Sequence, residues 1–300
     1  MPSVAIIGAN GQLGSDCERA FSDAGYAVTR LNHAELDIAE RGAVHRRMVE
    51  LGADVVINTA AMHNVEACEG DPAAAHRING IGARNIALAT RATGARLLHI
   101  STDYVFDGRK RSPYSETDDT GPLNVYGNSK LSGEQYVLAE APNAAVVRTS
   151  ALYGVAPCRA KGGLNFVQLM LKLARERGEV KVVKDEMVSP TCALDLARQL
   201  VILAEDKGVG VFHASSRGEC SWHAFAAEIF ALTGTAVRLL EASATDFPAK
   251  VRRPSYSVLE NVRLMADGLD RMQPWRDSLR AYLAEIGKLA DRPSPIYATG

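Results

Sequence analysis

The chain has 300 residues, 47% hydrophobic and 23% charged, a composition ordinary for a globular protein with one large core or two domains. Lys and Arg total 34 against 35 Asp and Glu, a formal net charge of -1, and no run of like charge suggests a nucleic-acid or membrane-surface tail. No apolar stretch reaches bilayer-spanning length, so nucleic acid and membrane both fall away as expected partners.

In chain order, "SVAIIG" is a short apolar run ending at Gly8, followed by Leu13, Cys17, Ala20, Phe21 and Ala24 at helical spacing: a strand, a turn and a helix. The unit recurs. "YAVTRL" precedes a helix carrying Val44, Met48 and Leu51, and "DVVINTA" precedes a long helix opened by Asp71 and Pro72, a cap and a preset φ, with Ile78, Gly82 and Ile86 on one face. "ARLLHIS", a helix starting near Tyr126, and "AAVVRTS" at 144–150 complete the series. Strands this apolar, alternating with helices, indicate a parallel sheet covered on both faces, a Rossmann-like, doubly wound α/β fold.

After Ser150 the order is less regular. "CRAKGGLN" reads as a loop, a helix follows with Phe166, Met170 and Leu173, and "VKVV" and "GVFHA" are candidate strands. Ser221 is a candidate cap for a helix bearing Phe225 and Ile229, "FPAKVRRPSYSVLEN" is rich in turn formers, and "DRPSPIYATG" reads as a frayed tail. The expected division is a dinucleotide-binding domain over 1–150 and a smaller, mainly substrate-binding domain over 151–300, with later segments free to return to the first sheet.

Directly after the first strand, Gly8, Asn10, Gly11, Gln12, Leu13 and Gly14 form a GxxGxxG turn into a helix. Glycines permit the tight turn and the close approach of a pyrophosphate, and the helix N-terminus supplies oriented N–H groups, so the strand–turn–helix context points to dinucleotide binding. At the end of the second strand no acidic residue stands where one would hold a ribose 2′-hydroxyl. Arg30 stands there instead, either to receive the 2′-phosphate of NADPH or as a solvated loop residue, which favours NADPH and leaves NADH open. Asp37 and Ile38 lie beside the adenine or, for Asp37, cap a helix.

"PLNVYGNSK" sets Tyr126 and Lys130 one helical turn apart, on one face. A free phenol has a pKa near ~10, and a neighbouring ammonium together with an oxidised nicotinamide would lower it, making Tyr126 a general acid tuned by Lys130. Thr102, at the end of the fourth strand in "HISTDYVFDG", is the hydroxyl chosen to polarise a carbonyl, because ligands in such folds bind outside the strand C-termini. The histidines form no HExxH pattern and His33-Ala34-Glu35 lacks a P-C-x-x-C partner, so no catalytic metal is expected. Five scattered cysteines without a CxxC pair, and an N-terminus without a basic, cleavable leader, fit a reducing cytoplasm.

Glycine turn, strand-end hydroxyl and YxxxK in this order resemble the extended short-chain dehydrogenase/reductases. The blocks "GANGQLG", "STDYVFDG", "PLNVYGNSK", "SPT" at 189–191 and "RRPSYSVL" at 252–259 resemble the dTDP-4-dehydrorhamnose reductase family over nearly the whole chain. The resemblance implies a soluble enzyme that reduces the C4 ketone of a nucleotide sugar, dTDP-4-dehydro-L-rhamnose, with NADPH or NADH. It implies Ala60 and Ala61 as strand-end cofactor contacts, Lys130 as a ribose contact, and His63, Asn64 and Tyr104 facing the sugar. Arg252 and Arg253 would either meet the diphosphate or form exposed ion pairs. Where the family often carries a Trp after "VVRTS", this chain has Ala151, and Trp222 is expected in the core or the pocket wall. That departure keeps open a reductase or epimerase for another nucleotide sugar. A non-catalytic regulatory subunit resembling the β subunit of methionine adenosyltransferase, and a homo-oligomer, also stay open.

Overall fold

A computed structural model describes residues 1–158, 162–247 and 251–290. The tail read from "DRPSPIYATG", and the middle residues of the "CRAKGGLN" and "FPAKVRR" segments, lie outside the described residues. The first half builds by strict alternation: β1 (Ser3–Ile7), α1 (Gln12–Asp23), β2 (Ala27–Leu31), α2 (Arg41–Leu51) and β3 (Val55–Asn58). A short α3 (Val65–Gly70) then precedes α4 (Pro72–Ala75), which runs through a π-helical turn at His76–Gly82 into α5 (Ala83–Thr93). β4 (Arg96–Thr102), α6 (Val125–Glu140) and β5 (Ala144–Thr149) follow.

Local chemistry sets these boundaries. Asp71 accepts from the Ala74 N–H at 2.9 Å with Pro72 as the first helical residue, and Asn124 accepts from the Gly127 N–H at 2.9 Å, which starts α6 one residue before Tyr126. The sequence reading of one uninterrupted helix after Asp71 needs correction. The π turn holds an extra residue, and it directs Asn79 inward to a buried position.

Beyond β5 the chain forms β6 (Leu152–Tyr153), α7 (Phe166–Arg177), β7 (Glu179–Val183), β8 (Met187–Val188) and β9 (Thr191–Cys192). It then supplies α8 (Ala193–Asp206) and β10 (Gly210–His213) to the first sheet before β11 (Cys220–Ser221), α9 (Trp222–Thr233), β12 (Arg238–Ala242), α10 (Val262–Ala266) and α11 (Trp275–Glu285). The main sheet has six parallel strands in the order β10-β5-β4-β3-β1-β2. One face packs on α1 and α8 through residues such as Ile6, Phe21, Leu98, Leu200 and Phe212, the other on α2, α5 and α6 through Ile7, Met48, Leu97, Ile86 and Val137. A second apolar cluster, centred on Phe225, Ile229, Trp275 and Leu279, holds α7, α9 and α11 against the small β7–β12 pair.

Strand order reverses between β1 and β3, which opens a crevice at the C-terminal ends of the strands. Beneath that crevice lies a buried ion pair: Arg148 of β5 meets Glu134 of α6 through Nη2–Oε2 at 2.7 Å and Nε–Oε1 at 2.9 Å, and Ser101 of β4 donates to the same carboxylate at 2.5 Å. Removing one partner of such a pair leaves an uncompensated buried charge. Arg148→Ala should therefore lower unfolding stability by about 3–5 kcal/mol, measured by urea denaturation, far beyond an exposed control such as Arg47→Ala.

Candidate active site

A cavity of about 580 Å³ runs along the crevice, from the glycine turn past the ends of β3, β4 and β5 to the α7–α9 lobe. At one end Gly8 has φ +82°, and a Cβ there would lie 2.7 Å from Thr59 Oγ1 and 2.9 Å from the Ala60 nitrogen. A Cβ on Gly14 would lie 2.4 Å from the Gly8 carbonyl oxygen, so the helix presses on the turn at a distance that only glycine allows. Gly11 caps α1 without a side-chain bond, which leaves the first N–H groups directed at the cavity mouth lined by Asn10, Gln12 and Leu13. This cradle fits the pyrophosphate of a dinucleotide.

The residues expected at the adenosine end divide. Asp37 and Ile38 line the cavity: Asp37 accepts from the Ala39 N–H at 2.9 Å and Ile38 packs beneath Gly82. Arg30 does not line it. Leu31 packs into the α2–α5 side, so Arg30, one residue earlier, projects to the opposite face and pairs with Glu18 of α1 at 3.3 Å. Nor is the turn free of carboxylates, since Glu35 accepts from the Asn32 N–H at 2.8 Å. Asn32 and His33, not among the cofactor contacts expected from the sequence, form that wall.

At the centre, Ala60 and Ala61 follow β3, with the Ala60 N–H donating to Asn58 Oδ1 at 3.1 Å. Thr102 ends β4, donates to Asp103 Oδ1 at 3.0 Å and accepts from the Tyr104 N–H at 3.2 Å. Tyr126 and Lys130 enter from α6, and Tyr104 stands edge-on to Tyr126 with ring centroids 5.8 Å apart. Lys130 is buried and its Nζ donates to the Ile100 carbonyl at 2.6 Å. Asn79, from the π turn, binds both the Met62 N–H (2.8 Å) and carbonyl (2.9 Å), and donates to Ser129 Oγ, which donates to the Tyr126 carbonyl. The loop after β3 and the first turn of α6 are thus tied together by a residue that helical periodicity alone does not reveal.

The electrostatics also differ from the sequence expectation. Burial pushes the Tyr126 phenol above its ordinary value, opposed by the Thr102 hydroxyl, and Asp103 and Cys68 push it further. Burial thus outweighs the depression expected from the neighbouring ammonium. Burial also raises Asp103, against hydroxyl donors from Ser257, Ser150 and Thr102, and holds the buried His99 well below its usual range with help from Lys130. Asp103, the next residue after the chosen Thr102 in "STDY", could have been found from adjacency, whereas Ser150 comes to it only through the pairing of β4 with β5.

Toward the far lobe the wall is apolar. Ala151 takes a left-handed conformation, φ +46°, and across the cavity Phe166 and Trp222 pack with ring centroids 4.6 Å apart. His63 lines this end, near Cys158. Asn64 instead caps α3, accepting from the Ala67 N–H at 2.9 Å. Arg252 and Arg253 lie outside the lining: Arg252 is exposed, and Arg253 pairs with Glu66.

Glycine cradle, switch-point crevice and parallel sheet define a dinucleotide-binding protein of the doubly wound class. A family model described as "RmlD substrate binding domain" matches residues 2–288. The spore coat polysaccharide biosynthesis protein SpsK of Bacillus subtilis is 38% identical, covering 97% of this chain and all of that protein. A Streptomyces griseus dTDP-4-dehydrorhamnose reductase is also 38% identical, over 98% of this chain and 97% of its own length. A Streptomyces antibioticus relative named a probable dTDP-4,6-dihydroxy-2-methyloxan-3-one 4-ketoreductase is 35% identical, with 94% of each chain covered. Among solved structures, the Bacillus anthracis dTDP-4-dehydrorhamnose reductase in complex with NADP superposes with a TM-score of 0.91 at 37% identity, covering 95% of this chain and 100% of that one. The chain belongs to the dTDP-4-dehydrorhamnose reductase family.

Burial holds Lys130 down at about 8, with Glu134 opposing. Between that value and the ordinary 10.5 the unfolded chain binds a proton that the folded chain has released, so stability from this residue rises with pH across the window. The stability of the protein relative to Lys130→Met should increase by up to about 3 kcal/mol from neutral pH to the top of that window. Urea denaturation at the two pH values checks this, and a constant difference would contradict the burial of the ammonium.

Proposed function

We propose that the protein is an NADPH-dependent oxidoreductase that reduces the C4 ketone of dTDP-4-dehydro-L-rhamnose to dTDP-L-rhamnose, with NADH as a possible substitute. The observation that carries this reading is the convergence of Thr102, Tyr126 and Lys130 on the strand-end crevice, continuous with the glycine cradle. Its relatives' names, and the NADP held by the Bacillus anthracis structure, supply the substrate and cofactor class. The first 150 residues with α8 and β10 form the cofactor side, and the rest of 151–300 the substrate side.

The bound cofactor supplies a hydride to C4. The protein's own part is to place the ketone oxygen at the Thr102 hydroxyl and to donate the Tyr126 proton to the oxygen as negative charge develops on it. A phenol raised by burial is fully protonated at neutral pH and ready to donate. Loss of that proton leaves a phenolate in a dry site, one helical turn from the Lys130 ammonium that favours it. Gly8, Gly11 and Gly14 admit the pyrophosphate, flanked by Asn10, Gln12 and Leu13; Asp37 and Ile38 lie at the adenosine end, Ala60 and Ala61 line the centre of the cofactor's path, and Tyr104 and His63 form the sugar side. Arg30 and Arg253 reach phosphate groups only by leaving Glu18 and Glu66.

The small side chain at Ala151 favours a second reading, the same reduction on a different deoxynucleotide sugar, in line with the ketoreductase relative. Purified protein mixed with dTDP-4-dehydro-L-rhamnose should oxidise NADPH, and Tyr126→Phe should bind NADPH normally while turnover falls roughly 10²–10⁴-fold. Undiminished turnover in that variant would remove Tyr126 as the acid. Cofactor binding with no reduction of any nucleotide sugar would favour a regulatory role.

A further inference from the structure

One stretch of the cavity wall is formed by Phe166, Val188, Trp222 and Phe225, with Ala151 and Leu152 opposite, and its single polar side-chain atom is the indole nitrogen of Trp222. That nitrogen is already engaged. β11 pairs antiparallel with β8, Cys220 opposite Val188 and Ser221 opposite Met187, and one more step of this register sets Trp222 opposite Glu186. The Trp222 N–H donates to the Glu186 carboxylate, whose pKa burial raises against the charge of Arg253 and against this bond. Glu186 stands outside the cavity lining, so the bond turns the N–H away from the cavity. Phe166, with its ring centroid at 4.6 Å, and Phe225, at 6.4 Å, brace the indole. Trp222 nevertheless stays half-buried, with part of its ring open.

We propose that Trp222 is the specificity-determining residue for the sugar, its ring receiving the methyl group on C5 and the adjacent C–H face of a 6-deoxy sugar, with Glu186 as the positioning residue that holds it. The assignment rests on the nucleotide-sugar reading above. Two contacts link this wall to the reacting centre: burial and Asp103 push the Tyr104 phenol up, against Arg253, with the Glu186 charge adding to them, and Tyr104 stands edge-on to Tyr126. C5 is bonded to the C4 that receives the hydride, so its substituent lies next to the reacting carbon. A methyl group gains from leaving water for an apolar wall, whereas a hydroxyl on the same carbon would lose its water and find no partner there. Burying a carboxylate is unfavourable, and an apolar neighbour would pack the indole without that cost. What the carboxylate adds is a fixed direction for the N–H, which leaves the cavity a ring with nothing to offer a hydroxyl.

Equilibrium binding to the NADPH-loaded protein tests this with three ligands: dTDP-L-rhamnose, dTDP-L-mannose, which differs only by a hydroxyl on C6, and dTDP, which has no sugar. The unmutated protein should bind the deoxy sugar roughly 10- to 100-fold more tightly than its hydroxylated counterpart. Trp222→Leu should weaken dTDP-L-rhamnose roughly 5- to 30-fold and leave dTDP unchanged, while Trp222→Phe, which keeps a flat apolar ring and the packing of the lobe, should retain the preference. Glu186→Ala frees the indole N–H to meet a C6 hydroxyl, so the preference should narrow with dTDP affinity unchanged; Glu186→Gln, whose amide oxygen still accepts, should stay near wild type. No preference in the unmutated protein, wild-type selectivity in Glu186→Ala, or a loss in Trp222→Leu shared equally by dTDP would each overturn the assignment. An unmutated protein that binds NADPH and none of the three ligands would overturn the nucleotide-sugar reading itself, and this inference with it.

Discussion

The close seating of α6 on the end of β4 is the constraint from which the site follows. Lys130 reaches under the helix to the Ile100 carbonyl, and the helix can come that near only because it carries glycine on the contacting face. A Cβ on Gly127 would lie 2.2 Å from the Tyr104 carbonyl oxygen, and one on Gly133 would lie 2.3 Å from the Asn79 carbonyl oxygen. With those approaches allowed, the phenol of Tyr126 stands against Thr102 and Tyr104. A helix displaced by a methyl group would carry the phenol away from the strand edge. Positioning of this kind is where a small shift costs a large factor in rate.

The polar groups below that contact explain why the arrangement persists. Glu134, one turn beyond Lys130, is neutralised by Arg148 and bound by Ser101, so α6, β4 and β5 share one buried network. Nδ1 of His99 on β4 accepts from the Asn58 amide of β3 at 3.0 Å, and the ring is kept uncharged by burial beside Lys130. The sheet ends that receive a ligand are thus held by hydrogen bonds as well as by apolar packing. Among the described residues Arg148 Nη1 and His99 Nε2 have no partner, so the network holds the strand ends without being fully satisfied. The crevice above them is where hydroxyls and a phenol are left to act on something else.

Much of this was legible in the sequence because it is local. Apolar runs and caps set β1 to β5, and the glycine turn and the Tyr126–Lys130 spacing are short-range patterns whose geometry follows from helix and turn chemistry. What escaped was set by distant partners or by parity. Of the two readings of Arg30, a cofactor contact or a solvated residue, its strand position, one before the inward Leu31, selects the second and sends it to Glu18. The loss of helical phase at His76–Gly82, which places Asn79 between Met62 and Ser129, has no signature in hydrophobic spacing. The phenol's rise, with burial outweighing the fall expected from Lys130, reflects the shape of an enclosed site that no spacing rule records. Trp222 stands in the pocket wall, one of its two expected places, but its pairing with Phe166 joins two helices that meet only in the folded chain.

The central claim is that this crevice delivers a hydride to a sugar carbon and a proton to its oxygen. The most direct measurement supplies NADPH deuterated at the transferable position of its nicotinamide, together with dTDP-4-dehydro-L-rhamnose, and locates the label in the product by NMR and mass spectrometry. The account predicts one deuterium, on C4 of the sugar, accumulating in step with cofactor oxidation. A product with no label at C4, with label on another carbon, or formed without net loss of NADPH would contradict it.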